Sequence, residues 1–451
     1  MRNRWAKISV WIITMLVMMN TAVAQPKENE THQFSVQQAV EYGMKNSVQV
    51  KNVLLDIKKT QQVNREYTAL ALPQVSGSAI INDYVAIPTT LLPGQFFGGA
   101  AGTYIPVKFG TKYSATGSIN LDQTLFDGQV FIGLQARSTN LKLSQINAEV
   151  TQEAINANIQ KIYYQLVIGK MQMAKIDANI VLLEKLLHDT KEIYKNGFAE
   201  QLDVDKTTVA LTNVQTEKVK VQNSMDAGNA SLKFLMGMPQ KDALALTDTL
   251  TEQNIKEDLL DDAYNYKDRK EVQALELANK LNAYNVRRYK LSYIPSLSAF
   301  ASYSKNAQRT KFDIFDFSKQ WFTTSVVGLR LNVPIFDGFT KDARMKQAKI
   351  DFQKTTNLLN NFKENVDMEV KQTRDKLKSA ILTIDAQRKN MELAESVYNQ
   401  TKKKYEQGLG SNTEINTTWK DLQVAQSDYY AALYDAIIAK VDYHKAIGKL
   451  Q

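Results

Sequence analysis

The chain has 451 residues but no cysteine, only three histidines and only eight prolines. Without cysteine there is no disulfide framework, no thiolate metal site and no N-terminal cysteine to carry a lipid. His32, His188 and His444 are scattered, and neither a nucleophile motif nor a glycine-rich phosphate loop occurs. No catalytic residue, cofactor or metal is therefore expected, and the chain does not read as an enzyme. Blocks of Lys and Arg are also missing: basic residues interleave with acidic ones along helical stretches, so nucleic acid is not an expected partner. Beyond residue 24, no run is long and apolar enough for a transmembrane helix.

What is present begins with a leader. Arg2, Arg4 and Lys7 precede an apolar run from Ile8 to Met19, and Ala22-Val23-Ala24 follows, the pattern of a secretory signal over residues 1–24 with the mature chain starting at Gln25. Twelve apolar residues are too few to span a bilayer as a helix. Loss of the leader's three basic residues takes the formal charge from +9 to +6, a mild excess. At 44% hydrophobic content the remainder can bury a core.

Two halves repeat. LDQTLFDGQ at 121 and LNVPIFDGF at 331 share Phe-Asp-Gly 210 residues apart; YKNGFAEQLDV at 194 and YEQGLGSNTEI at 405 stand 211 apart, as do Gly237 and Gly448. Upstream, Leu72-Pro73 answers Ile294-Pro295. The reading is residues 25–240 for repeat 1, with strands near 74–87 and 112–126 and a helical hairpin near 128–237. Repeat 2 covers 241–451, with strands near 296–308 and 322–335 and a hairpin near 338–448.

The hairpins are helical by period. Ile155, Ile159, Ile162, Leu166, Gly169 and Met173 begin a series with alternating spacings of four and three, and adding 211 lands on Val366, Val370, Thr373, Leu377, Ala380 and Ile384. That seven-residue repeat keeps one seam on one helix face. A continuous helix from about 129 to 196 would reach on the order of 100 Å.

The strands have period two. Between Lys112 and Phe126, Tyr113, Ala115, Gly117, Ile119, Leu121 and Leu125 face one side, while Ser114, Thr116, Ser118, Asn120, Asp122 and Thr124 face the other way. Such a pattern suits a half-buried sheet in a soluble domain as well as a membrane strand. Each segment has roughly the nine to eleven residues of a tilted membrane strand. Phe126, Trp321, Phe322 and Phe336 stand at strand ends, where interfacial aromatics are expected. Four strands do not close a barrel, and open edges are not tolerated in lipid, so several chains must contribute to one barrel.

In order and spacing these features resemble the TolC family of outer-membrane efflux proteins, over nearly all of the chain after the leader. The resemblance rests on the twofold repeat, Pro334-Ile335-Phe336-Asp337-Gly338, the tips Tyr194-x-x-Gly197 and Tyr405-x-x-Gly408, and the opening FSVQQAVEYGMKNS. It implies a mixed fold: a homotrimer giving four strands per chain to one 12-stranded membrane β-barrel, continuous with a coiled-coil α-helical barrel in the periplasm. It places the protein in the outer membrane of a Gram-negative bacterium, in outer-membrane lipid. It implies a passive exit duct for efflux or type I secretion, docked on a periplasmic adaptor (membrane fusion protein) and an inner-membrane pump of RND, ABC or MFS type. A secreted coiled-coil structural or interaction protein, such as an adaptor, is the competing reading, although an adaptor would have one hairpin rather than two with their own strand pairs.

Carried over by position, the family's gate link falls on Asp203 and Tyr405 and its first acidic ring on Glu414. Gly410 stands where the family has an arginine and Thr417 where it has the second acidic ring. Three copies of Glu414 would form a ring of like charge that selects cations; the plainer alternative makes Asp203 and Glu414 solvated helix-tip residues. Gly197 and Gly408 are expected to end the outgoing helices at tips that meet the adaptor. Phe126, Asp127 and Gly128, and Pro334, Phe336, Asp337 and Gly338, are expected to form strand-to-helix joints, with aspartate capping the helix and glycine allowing the bend.

Overall fold

In the computed structural model residues 31–256 and 264–450 are described; the leader expected at 1–24 lies outside them. The first half contains β1 (Thr31–Phe34), α1 (Val36–Asn46), α2 (Val48–Ala69), β2 (Gln74–Asp83), β3 (Thr89–Pro93), β4 (Tyr104–Lys108), β5 (Tyr113–Phe126), α3 (Gly128–Lys195) and α4 (Gln201–Met236). The second contains β6 (Ala243–Leu246), α5 (Glu252–Lys256), α6 (Lys270–Leu291), β7 (Ser296–Arg309), β8 (Phe322–Asn332), α7 (Thr340–Glu406) and α8 (Asn412–Ala446). Two compact units result, each drawing on both halves of the repeat: the described residues of Met1–Asn52, Thr151–Asp268 and Asp367–Gln451, and those of Val53–Val150 and Arg269–Val366. Among the described residues no helix is long and apolar enough to cross a membrane.

The second of these units holds a four-stranded antiparallel sheet in the order β2-β5-β7-β8. Its register sorts side chains into two faces. Val75, Leu121, Ala301 and Val327 form one cross-strand row, and the rows beside it carry Ile119 with Tyr303 and Ala299 with Leu329. On the opposite face Ser76, Asn120, Ser302 and Val326 are in register, next to Ser78, Ser118, Ser304 and Thr324. Polar contacts knit that second face: Ser302 donates to Asn120 at 2.7 Å, the Ser78 and Ser118 hydroxyls lie 2.7 Å apart, and Arg330 approaches Asp122 at 3.8 Å. β2 stops at Asp83, short of the expected 87, because its partner β5 begins at Tyr113. The connection to β5 contains a separate hairpin, β3 with β4, in a stretch for which the sequence predicts no strand. β8 stops at Asn332, ahead of Pro334, which has no N–H for a ladder.

Helix pairs form the core of the other unit. Leu377, Ile384 and Tyr398 are buried at multiples of seven along α7, and Ile155, Ile159, Leu166, Ile176 and Leu183 are buried along α3. This is the spacing of a seam that stays on one face of a long helix. Gly228 lies against Leu166 so closely that a Cβ would sit 2.8 Å from its side chain, which allows α3 and α4 to approach. A buried polar layer interrupts the seam where Asn179 donates to Gln426 at 2.7 Å. Because an unmatched buried amide costs about 1–3 kcal/mol, that pair fixes one register between α3 and α8. β1 pairs in parallel with β6, and the buried Tyr163 donates its hydroxyl to the Phe34 carbonyl at 2.9 Å.

Candidate gate, docking tips and strand-to-helix joints

The two hairpin tips are built alike, residue for residue at the repeat offset. Gly197 and Gly408 have φ of +81° and +75°, the left-handed conformation that glycine adopts at a helix C-terminus without steric cost. The N–H groups of Phe198 and Leu409 reach back to the carbonyls of Ile193 and Lys404 at 3.0 and 2.9 Å, which satisfies carbonyls otherwise orphaned at the helix end. Both residues after the glycine are large, apolar and open, Phe198 at 85% and Leu409 at 76% exposure. The sequence points to the glycines and to tips formed by their neighbours, without singling out Phe198 and Leu409, although the repeat aligns them.

Each returning helix starts in a capping box. Ser411 accepts from the Glu414 N–H at 3.2 Å while the Glu414 carboxylate accepts from the Ser411 N–H at 3.4 Å. At the equivalent place Glu200 caps α4, and Asp203 accepts from the Glu200 N–H at 3.3 Å. Asp203 and Glu414 are thus the same position in the two halves, the third residue of the returning helix, where a carboxylate also meets the positive end of the helix dipole. Glu414 and Thr417 are exposed. Beside the first tip, the Lys195 ammonium, donating at 2.6 Å, holds the Glu192 carboxyl below its ordinary range.

Tyr405 does not meet Asp203 within this chain. Its hydroxyl lies 3.4 Å from the Thr190 hydroxyl and 3.5 Å from the Asn412 amide, which in turn is 3.5 Å from the Thr207 hydroxyl. Thr190, Thr207 and Asn412 are buried, so the tips close over a small polar cluster that the sequence did not disclose. Above it Tyr405 packs on an apolar cluster in which Tyr398 and Trp419 meet edge to face, with centroids 5.5 Å apart. Gly410 sits against the backbone of Lys404 and Tyr405 and offers no side chain for a second link.

The strand-to-helix joints lie in the unit with the sheet. Asp127 accepts from the Gln129 N–H at 2.8 Å and from that of Val130 at 3.4 Å, and Asp337 accepts from the Lys341 N–H at 2.9 Å. Both aspartates therefore cap helix N-termini. The glycines differ. Gly338 turns with φ +64°, and Phe339 after it has φ +65°, whereas a Cβ on Gly128 would stand 2.8 Å from Leu291, so Gly128 is required by close packing against the end of α6. Phe126 packs near Phe131 at 5.7 Å and Phe336 near Phe339 at 5.6 Å, and Phe336 is exposed. Pro334 lies just beyond the end of β8.

No group of three or more potential metal-ligating side chains occurs among the described residues. What the geometry presents is a sheet with an apolar and a polar face, two capped hairpins and two rigid joints. Residues 266–449 match the family model described as outer membrane efflux protein. Over that stretch the chain is similar to the outer membrane efflux proteins. The chain is 22% identical over 344 residues to the alkaline protease secretion protein AprF of Pseudomonas aeruginosa, covering 75% of this chain and 69% of AprF. It is 20% identical over 357 residues to the outer membrane protein TolC of Escherichia coli, covering 75% and 70% of the two chains. The fold is also that of the outer membrane protein VceC of Vibrio cholerae, with a TM-score of 0.72 at 15% identity over 92% of this chain and 96% of that one.

Proposed function

We propose that this chain is one of three that form a passive exit duct across the outer membrane, serving efflux or type I secretion. The two-faced sheet carries the reading. Ile119, Val327, Leu329 and Leu331 are 58%, 82%, 68% and 64% exposed in the single chain. Burying one such side chain is worth about 1.5–3 kcal/mol, so four left to water forfeit on the order of 6–12 kcal/mol. That is comparable with the whole stability of an ordinary domain, about 5–15 kcal/mol. Lipid on that face removes the deficit, and the serine-rich face then lines water.

Closure follows from direction. β2 and β8 are the two outer strands, each with one unpaired edge, and along the antiparallel order β2-β5-β7-β8 they run in opposite directions. β8 of one copy therefore meets β2 of the next as an antiparallel neighbour, and three copies give an even, edgeless barrel of twelve strands. Asp127 and Asp337 then mark where each crossing becomes a helix of 68 or 67 residues. The tips at Gly197 and Gly408 take the adaptor, with Phe198 and Leu409 as the apolar knobs that enter its surface, and an inner-membrane pump supplies the energy. Asp203, Tyr405 and Glu414 sit where the duct narrows and is gated. Fractionation tests the reading: the protein should be recovered from outer membranes as a detergent-extracted trimer that conducts ions in planar bilayers. Recovery as a soluble periplasmic monomer would sink it.

A further inference from the structure

In the unit that carries the sheet, the end of α2, the start of α3 and the end of α6 enclose a cavity of about 230 Å³. Asn64, Asn140, Arg137 and Arg288 are among its lining residues, together with Tyr67 and Ile132. Arg137 is held by its own helix, donating from Nε to the Leu134 carbonyl at 3.1 Å, and by the Thr68 hydroxyl. Arg288 lies 4.8 Å from the Tyr289 ring centroid and donates to the Tyr289 hydroxyl at 3.0 Å, while its Nε is buried without a hydrogen-bond partner. Neither guanidinium forms an ion pair with a carboxylate among the described residues. α3 and α6 add no counter-charge nearby, while α2 carries the exposed Glu66 next to the lining residue Tyr67. From Gly128 to Ala148, α3 has no acidic residue, and beyond Glu276 α6 has none while carrying Lys280, Arg287, Arg288 and Lys290.

Two positioned guanidinium groups in one partly enclosed cavity, with a donor unsatisfied and no carboxylate, are complementary to an anion that accepts several N–H groups at once. A phosphate ester fits that description better than a spherical ion, because the guanidinium fork matches its oxygens. The Tyr67 and Ile132 side chains in the same lining give the organic part of such a molecule apolar contact. We propose that this cavity is a binding site for a phosphate ester, held by Arg137 and Arg288 with the Asn64 and Asn140 side chains around it. The ester has two possible sources, a phospholipid headgroup or a free phosphorylated solute. Arg137 lies about 14 Å along α3 from its first residue, and Arg288 stands three residues before the end of α6, so both are near the strand ends. The lipid source rests on the membrane placement proposed above; binding of a free solute does not.

The test uses the purified full chain in detergent, with inorganic phosphate, short-chain phosphatidylglycerol and short-chain phosphatidylcholine as probes and calorimetric titration as readout. Saturable phosphatidylglycerol binding is expected, weakened at least tenfold in Arg137→Gln/Arg288→Gln and partly restored in Arg137→Lys/Arg288→Lys. Gly133→Leu keeps both arginines and adds a side chain to the lining, where a Cβ has free space to 4.0 Å; it should lose binding too, which covers the case in which the double variant does not fold. Binding of phosphate alone with the same arginine dependence supports the site and assigns it to a free solute. Phosphatidylglycerol binding that these variants leave unchanged, or equal binding of phosphatidylcholine that ignores the arginines, overturns the proposal. So does the failure of all three probes, the result expected if a carboxylate of a second copy occupies the arginines. Trimer recovery from membranes is scored separately, so a soluble protein that binds phosphate would overturn the duct and keep the site.

Discussion

Val326 and Val327 are adjacent on β8 and identical in chemistry, yet the register puts them on opposite faces of the sheet. Val327 lies in the row of Val75, Leu121 and Ala301; Val326 lies in the row of Ser76, Asn120 and Ser302. Both stand at the middle of an 11-residue strand, so in a barrel each would be near the bilayer midplane. Lysine at Val327 must then place its ammonium in hydrocarbon, at about 2–4 kcal/mol per chain. At 1.4 kcal/mol per tenfold, that shifts each chain's folding equilibrium by roughly 30- to 700-fold. Lysine at Val326 faces a water-filled lumen among serines and should stay within about 0.5 kcal/mol of the parent, as for an ordinary surface substitution. Urea unfolding of the two variants in phospholipid vesicles, read as a midpoint shift at unchanged slope, separates them. Equal shifts, or a larger loss for Val326→Lys, would refute the assignment of faces and with it the membrane reading of the sheet.

Three further outcomes are expected. Glu414→Ala should lower the cation-over-anion permeability ratio in planar bilayers, whereas an unchanged ratio leaves Glu414 as a helix cap alone. Phe198→Ala with Leu409→Ala should abolish export in cells while leaving the conductance of the purified channel intact; normal export would remove these residues from the docking surface. Tyr264 is hydrogen-bonded to the Asp367 carboxylate, and that bond, with some burial, pushes its phenol up to about 12. Its contribution to stability is therefore complete below pH 10 and is lost as pH rises from 10 through 12. An alkaline unfolding series should show a shallower decline over that window for Tyr264→Phe than for the parent, and identical slopes would contradict the bond.

The periodic elements were legible because their signal is local. A seven-residue spacing identifies a seam whichever helix fills it, and it anticipated the buried line of Leu377, Ile384 and Tyr398 along α7. The alternation from Tyr113 to Leu125 likewise anticipated the two faces of β5. Contacts between distant segments were not legible. β1 and β6 are four residues each and pair across more than two hundred residues, fixed by the Val36 N–H donating to Asp248 at 2.8 Å. Nothing in THQF or ALAL announces that. The β3-β4 hairpin was hidden by Pro93 and Pro106, which read as loop. At the tips the repeat aligned Asp203 with Glu414 but did not show that Tyr405 turns to Thr190 and Asn412, because a hydroxyl's partner depends on three helices packing together. The two joints shared a motif and hid a difference: Gly338 serves a positive φ, Gly128 a close approach to Leu291.

The central claim is that β8 of one copy pairs with β2 of the next around a closed barrel. The chain has no cysteine, so cysteines placed one on β2 and one on β8 report on that seam without background. Paired substitutions scanned along Ser76 to Ile80 and Thr324 to Gly328 should, on mild oxidation in isolated outer membranes, yield covalent ladders that stop at three chains for the pairs in register. Ladders that stop at two, cross-links confined within one chain, or none at any pairing would contradict the account.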